Sequence, residues 1–578
     1  MRNKKSWLAG FVITAVCLVL LWRICPICFQ NNDDKVLMYL TAGYTTGVPE
    51  IGTIFGSFYY YGVIGLFYRI YDGIAWYTIF ELLVVAVSLW IICTSLINST
   101  ERNGKLGAIL FVVLFLFSFM HFSTALQYTA TAGLAAGAGV ASLVAYADVK
   151  DEKEHKRNIG CNFVVAVIML VVAYGIRKQF GLVGFAAALI VLFFEYFGEN
   201  KKQVIKKTII LVVAMAVAYG SNAIYEHASG IADFQEYYDQ AGTWIDYPHL
   251  QYKYDTSGVY ESAGWDESLY NVASSWFFMD ENCNTNSFKT IVDSYDINNL
   301  SIEGHLKAAY GLLVPNGIIN TQVIIWIVML IFINIPWFKN NHIRKVTTKD
   351  NNIEKETGSN KGIAGLDILT LDGLFGMFAL ISLYFLYQAR FPMRAYQALV
   401  FIFFVPSAVI MARYLFENKA PIVAAIVIIC GVGFILPDSI MVKKTYNFTN
   451  DPNVKAVVAQ VTGMETYAVE HPNNMYIHDP DLSEPAAPFG VFRGGVPKNV
   501  VPWGSWTYNS PMYWKQIKAN SFETLYSDDF FSGRVYFCGR EISNPLCDYI
   551  KARYPDATVE MVDEVGGIKV YQFQNGTD

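Results

Sequence analysis

Two adjacent carboxylates, Asp33 and Asp34, follow directly on the first apolar run of the chain, in Gln30-Asn31-Asn32-Asp33-Asp34-Lys35. Where a membrane meets water, partial desolvation raises a carboxyl pKa and makes the group a better proton acceptor. The pair is therefore a candidate general base; the ordinary alternative is that it caps a helix starting near Lys35. A second group is cationic. Arg177 and Lys178 occupy a very short turn between two apolar runs, Arg390 and Arg394 flank Phe391-Pro392-Met393 in another, and Arg23 and Arg69 lie near the same level. Guanidinium forks match phosphate oxygens, and a site at headgroup depth suits a lipid phosphate. Snorkelling to headgroups, or pairing with Asp33, Asp34 or Glu50, would explain the same residues without a ligand.

A third group mixes aromatics with acids: Trp244-Ile245-Asp246-Tyr247-Pro248, Gly264-Trp265-Asp266 and Trp276-Phe277-Phe278-Met279-Asp280. Aromatic faces stack on sugar rings while neighbouring carboxylates accept hydroxyl hydrogen bonds, which makes Asp246, Tyr247, Trp265 and Trp276 candidate sugar contacts. An interfacial aromatic belt is the alternative. Trp503, Trp506, Tyr508, Tyr513 and Trp514 admit the same two readings.

The elements that must position these groups are membrane spans. Of 578 residues, 54% are hydrophobic and 16% charged, with a mean hydropathy of +0.31. A soluble protein of this length carries about a quarter charged residues, so one large soluble enzyme is excluded. A net charge of −6 gives no reason to expect a nucleic-acid partner. A span needs roughly 20 mostly apolar residues. Such stretches run near 7–24, 76–98, 106–124, 126–147, 159–176, 180–198, 208–225, 318–337, 364–387, 395–415 and 420–437. The expectation is thus a polytopic α-helical membrane protein of about 11 transmembrane helices. The first run has a basic start, but bulky Trp22-Arg23-Ile24-Cys25-Pro26 follows it, so it reads as a retained anchor.

Lysine and arginine collect in alternate loops, at Arg102 and Lys105, 150–157, 201–207 and 344–361, on the side of the basic N-terminus. That side is expected to be cytoplasmic. Residues 25–75, 226–317 and the tail from 438 then lie outside, the tail across the membrane from the N-terminus. The first outer loop reads as two amphipathic interfacial helices, around 36–40 and 51–70, separated by Thr46-Gly47-Val48-Pro49. The segment 338–362 reads as a polar cytoplasmic loop.

A transmembrane unit over 1–437 therefore gives way to a small extracytoplasmic α/β domain over 438–578. Strand patterns fall at 475–478, 535–538, 558–562 and 568–571, and helical patterns at 454–470 and 544–553. Gly133-Leu134-Ala135-Ala136-Gly137 predicts close helix packing. Glu81, Asp367 and Asp372 lie in or beside spans, too scattered to define an ion path. Cys25 and Cys28 have CxxC spacing but stand alone, and Cys538 and Cys547 are near enough in the tail to pair.

The layout resembles the GT-C superfamily of polytopic glycosyltransferases, most nearly bacterial members that end in an exported domain. The likeness lies in the acidic pair after the first span, the long first outer loop, Gln127-Tyr128-Thr129 at the start of a small-residue span, Arg177, Asp246-Tyr247-Pro248 and Arg390-Phe391-Pro392-Met393-Arg394. One departure is that the acids here are adjacent, whereas many relatives space them by one residue. That leaves open which acid acts and whether a divalent metal ion sits on Asp33 and Asp34.

The resemblance implies transfer of a sugar from a polyprenyl-phosphate donor to a glycan hydroxyl at the outer face. Asp33 or Asp34 would be the base, Arg177, Lys178, Arg390 or Arg394 would hold the donor phosphate, and a single displacement would invert the anomeric centre. No nucleotide sugar is needed, and no dinucleotide-binding glycine fingerprint is evident. The rival expectations are a transporter or flippase of a lipid-linked or anionic solute, a polysaccharide ligase or polymerase, and a scaffold that only presents its tail.

Overall fold

The computed structural model describes residues 2–100, 104–145, 152–198, 201–295, 300–313, 322–331, 333–334, 358–417, 441–479, 488–490 and 495–576. The first half is helical: α1 (Arg2–Ile24), α2 (Asn32–Ala42), α3 (Phe58–Ile70), α4 (Trp76–Ser99), α5 (Gly104–Leu114), α6 (Tyr128–Val144), α7 (Glu152–Ile176), α8 (Lys178–Glu195), α9 (Lys201–Ser229) and α10 (Ile231–Asp246). Short helices follow, then the long α11 (Gly358–Tyr387) and α12 (Met393–Glu417). Among the described residues six helices are long and apolar enough to cross a membrane, and four further apolar helices are shorter. The chain is a multi-pass membrane protein. The expected eleventh stretch, 420–437, most of the loop 338–362 and part of 318–337 lie outside the described residues.

Close approach to α6 organises the bundle. Along α6 nearly every residue is buried, and its small side chains let α12 lie against its backbone. A Cβ on Gly133 would stand 2.4 Å from the Ala398 Cα, and one on Gly137 would stand 2.3 Å from the Phe401 carbonyl oxygen. On another face, a Cβ on Gly184 of α8 would stand 2.5 Å from the Ala136 Cβ. Without a hydrophobic drive between helices in lipid, this contact area is what holds the helices together.

The first outer loop forms the two expected helices, α2 and α3, joined through Gly43. That glycine ends α2 at φ 81°, a left-handed conformation in which a Cβ would also meet Val48 and Pro49. Two residues on each side of a parallel pair, β1 (Cys28–Phe29) and β2 (Ala125–Leu126), tie the exit of α1 to the entry of α6. The Cys25 and Cys28 thiols are buried and free.

The C-terminal domain carries helices α13 (Pro452–Glu470), α14 (Pro511–Ala519) and α15 (Asn544–Arg553) around a five-stranded sheet. Its strands are β3 (Met475–His478), β4 (Val500–Pro502), β5 (Val535–Gly539), β6 (Thr558–Val565) and β7 (Ile568–Gln574), in the order β4-β3-β5-β7-β6. The first three are parallel, and β7 and β6 join antiparallel. Each strand and helix that the sequence predicts in the tail is present, while β4 and α14 carry too short a pattern to stand out. Cys538 and Cys547 are not joined but free.

Packing against the helix ends is extensive. Lys515 reaches Glu50 at 2.5 Å, Tyr549 donates to Asp280 at 2.6 Å, and Trp506 lies on Phe55 with ring centroids 4.5 Å apart. The first outer loop, the 226–317 region and the C-terminal domain thus assemble on one side of the bundle.

Replacing Gly137 by valine pushes two helix backbones apart, and thermal unfolding in detergent should show a loss of about 1–3 kcal/mol or more. Gly220→Ala, at a position in α9 with no neighbour within 4 Å, should be neutral or slightly stabilising in the same measurement.

Candidate active site

The acidic pair is divided by its surroundings. Pairing of β1 with β2 brings the start of α2 against the start of α6, with Cys28 N–H donating to Thr124 and Gln30 N–H to Leu126, both at 2.8 Å. Asp34, fully buried, then accepts the Tyr128 backbone N–H at 3.0 Å and the Tyr77 hydroxyl at 2.8 Å. Gln127 caps the same helix by accepting from Ala130 at 2.8 Å. Asp34 therefore satisfies an orphan N–H of α6, not of its own helix. Burial, with the nearby Glu81 adding to it, raises the Asp34 carboxyl well above its ordinary range. Enclosed on all sides, this carboxyl is out of reach of an incoming hydroxyl and is no ready base.

Asp33 takes the opposite course. Its side chain is 14% exposed and pairs with Arg394 at 3.2 Å. Asn31 donates to it at 3.2 Å. Next to this pair, Arg390 forms a salt bridge with Asp246, the last residue of α10, and lies over the Tyr247 ring at 4.8 Å. Burial raises the Asp246 carboxyl, while Arg390 and Arg394 pull it back down and Asp33 pushes it up. Two acids and two arginines thus form one electrostatic cluster, built from the first outer loop, α10 and the turn into α12. The sequence names all four residues, but not which acid meets which base.

Arg177 sits deeper. Its guanidinium donates to the Tyr128 hydroxyl at 2.7 Å and lies 4.3 Å from the Phe55 ring centroid, and its Nε is buried without a partner. Tyr238 connects the levels, because its hydroxyl feels Arg177, Asp33, Asp246 and Arg390 together. Lys178, by contrast, is committed to Glu226 at 2.5 Å.

A cavity of about 450 Å³ opens above the cluster, within the range of roughly 300–1,000 Å³ usual for small-molecule sites. Asp33, Asp246, Arg394, Tyr238 and Trp276 line it together with Glu465, His478, Trp503 and Trp506 of the C-terminal domain. Lys35 bridges the two groups, reaching Glu465 at 3.7 Å, and Tyr39 donates to Glu465 at 3.1 Å. Burial and the Lys35 charge hold the His478 imidazole down at about 3, so it is neutral.

Asp33 and Asp34 do not fit a divalent cation. One is paired with an arginine, the other is enclosed, and among the described residues no three His, Cys, Asp or Glu side chains converge.

Of the aromatic candidates, Trp276 lines the cavity and Tyr247 lies under Arg390. Trp265 does not join them. At 1% exposure it is packed against Trp244 at 5.0 Å and Phe288 at 5.4 Å, its indole N–H donating to Asn282. The buried aromatics of this region join the core shared with the helices and the C-terminal domain, because an irregular stretch of short helices needs large rings to fill its interior. Glu465 escapes a motif search, yet it carries a signal. It shares the buried stripe Val461, Met464, Glu465 and Ala468, where an acid on an apolar helix face demands a partner.

No family model and no curated protein matches this chain. Among solved structures, ArnT from Cupriavidus metallidurans bound to undecaprenyl phosphate aligns over 98% of this chain and 97% of its own, at 10% identity and a TM-score of 0.38. Its apo state aligns over 98% of both chains, at 11% identity and 0.39. The archaeal oligosaccharyltransferase AglB from Archaeoglobus fulgidus, in complex with an inhibitory peptide and a dolichol-phosphate, aligns over 99% of this chain and 74% of its own, at 13% identity and 0.37. At these scores no residue role passes from those proteins to this one.

The raised Asp34 carboxyl fixes a sign. The folded chain holds this proton to higher pH than the unfolded chain does. The Asp34 contribution to stability is therefore present at low pH and lost as pH rises towards the folded-state value. Between about pH 5 and 8 the melting temperature should fall further in the unaltered protein than in Asp34→Asn, which keeps an acceptor for Tyr77 and Tyr128 without a proton to lose.

Proposed function

We propose that this chain transfers a sugar from a polyprenyl-phosphate-linked donor to a hydroxyl group of a surface glycan, at the outer face of the membrane, with Asp33 as the base. The observation that carries this reading is the Asp33–Arg394 pair at 3.2 Å on the floor of a cavity. A carboxylate and guanidinium groups held together at the membrane-proximal end of a bundle are what proton removal and phosphate departure need at one place. The alternation of basic loops along the sequence supports the outer face, with the N-terminus cytoplasmic and the C-terminal domain extracytoplasmic.

The donor's prenyl chain would lie among the apolar helices with its phosphate at the level of Arg394, Arg390 and Arg177. Arg394 and Arg390 are engaged with Asp33 and Asp246. An arriving phosphate competes for both guanidinium groups, so donor binding frees the Asp33 carboxylate. The acceptor oxygen then attacks the anomeric carbon and passes its proton to Asp33. The bond from that carbon to the phosphate oxygen breaks, and the electron pair leaves with the polyprenyl phosphate, whose charge the arginines offset. One displacement inverts the anomeric centre. Asp34 acts only by holding α2 against α6. The flippase reading has less support, because the charged cluster lies at the helix ends and not at a midplane break.

In proteoliposomes supplied with a labelled polyprenyl-phosphate sugar, Asp33→Asn should cut transfer by about 100-fold or more, and Asp34→Asn should cut it far less. Equal activity of Asp33→Asn and the unaltered protein would remove the base, and a product with retained anomeric configuration would remove the single displacement.

A further inference from the structure

The part of the cavity wall that the C-terminal domain supplies has polar atoms that no described residue satisfies. The Trp503 Nε1, Trp506 Nε1 and His478 Nε2 are each buried without a hydrogen-bond partner. Their side chains are 4%, 7% and 6% exposed, and all three residues line the same cavity. A buried donor or acceptor left unpaired loses its hydration without recompense, and native folds keep few of them. Three around a single cavity of about 450 Å³ mark a surface that waits for a partner. The rings themselves are fixed, Trp506 by Phe55 at 4.5 Å and Trp503 by Phe277 at 5.1 Å. Their function is therefore not to fill space that is otherwise loose.

Indole N–H groups only donate, so the partner must accept, and it must also tolerate aromatic faces. A pyranose ring does both. The charge of the wall narrows the class further. Asp33, Asp246, Glu465 and Asp479 line the cavity against Lys35 and Arg394, an excess of carboxylates. Both cations are already paired, Arg394 with Asp33 and Lys35 with Glu465, so an acidic sugar entering the cavity would find no uncommitted cation among its described lining residues.

We propose that His478, Trp503 and Trp506 of the C-terminal domain form the acceptor subsite, and that it takes an uncharged or amino-bearing sugar ring and rejects acidic ones. This rests on the glycosyl-transfer reading only for the identity of the incoming substrate. The indole groups bind the ring's hydroxyl or carbonyl oxygens, and the neutral imidazole takes whichever hydrogen-bonding role the ring leaves to it. The carboxylate rim then sets the selectivity against uronic acids.

The test uses the full-length chain in detergent, without donor, and measures binding of cellotriose, chitosan trisaccharide and trigalacturonate. A neutral or amino trisaccharide should bind about tenfold or more tighter than trigalacturonate. Trp503→Phe and Trp506→Phe, which keep a ring in place and remove the N–H, should each weaken that binding by about five- to tenfold, the value of one hydrogen bond. Asp479→Lys alters the rim without touching the three side chains and should narrow the preference against trigalacturonate. It keeps the question open to an answer if a phenylalanine variant fails to fold. Unchanged affinity in folded phenylalanine variants, unchanged selectivity in Asp479→Lys, preference for trigalacturonate, or binding of none of the three sugars would each overturn the subsite. Since no donor is present, loss of the Asp33 chemistry would leave these outcomes unaffected. Asp33-dependent transfer by variants with unaltered sugar affinity would keep the function and discard the subsite.

Discussion

The site depends on one buried hydrogen-bonded carboxyl. Asp34 joins the first backbone N–H of α6 to the Tyr77 hydroxyl of α4, so a single side chain from α2 holds three helices in register. Removing one partner from such a group would leave the others unsatisfied in a dry interior, at about 1–3 kcal/mol each. The register matters because Asp33 is the next residue. With Asp34 turned inwards among the helices, its neighbour projects to the cavity and meets Arg394. Two residues of one type, adjacent in the chain, thereby divide structure and chemistry between them.

The arginines follow a related logic. Arg390, in the turn before α12, and Arg394, in its first turn, flank the entry to that helix, whose backbone α6 holds at close range through Gly133 and Gly137. The position of both guanidinium groups is thus set by small residues more than 250 positions earlier in the chain. Each arginine is paired, which spares the fold an uncompensated charge near lipid. The same pairing makes the site responsive, since a phosphate can replace a carboxylate on a guanidinium fork with little movement.

The C-terminal domain is a wall of the site and not an appendage. Lys35 and Tyr39 of α2 both engage Glu465 of α13, so the helix carrying Asp33 is also clamped to the domain above it. Phe55, which lies against both the Arg177 guanidinium and the Trp506 ring, joins the bundle to the C-terminal domain through one ring. The Asp33–Arg394 pair, Arg177 and the Trp506 ring are therefore parts of one continuous packing arrangement.

Much of this was legible in the sequence. Runs of about 20 apolar residues mark spans because unpaired backbone cannot stay in lipid. Alternation marks the tail strands, and small residues at GxxxG spacing mark the tight α6–α12 contact. Residue type also brought out Asp33, Arg390, Arg394 and Asp246, since charges at helix ends are costly unless used. Only the tertiary structure separated Asp33 from Asp34, removed Trp265 from the site, committed Lys178 to Glu226 and brought in Glu465 and His478. Local sequence sets what each segment prefers. Which side of a helix meets water, and which distant charge meets which, depends on contacts between segments far apart in the chain, and those exist only once the chain has packed.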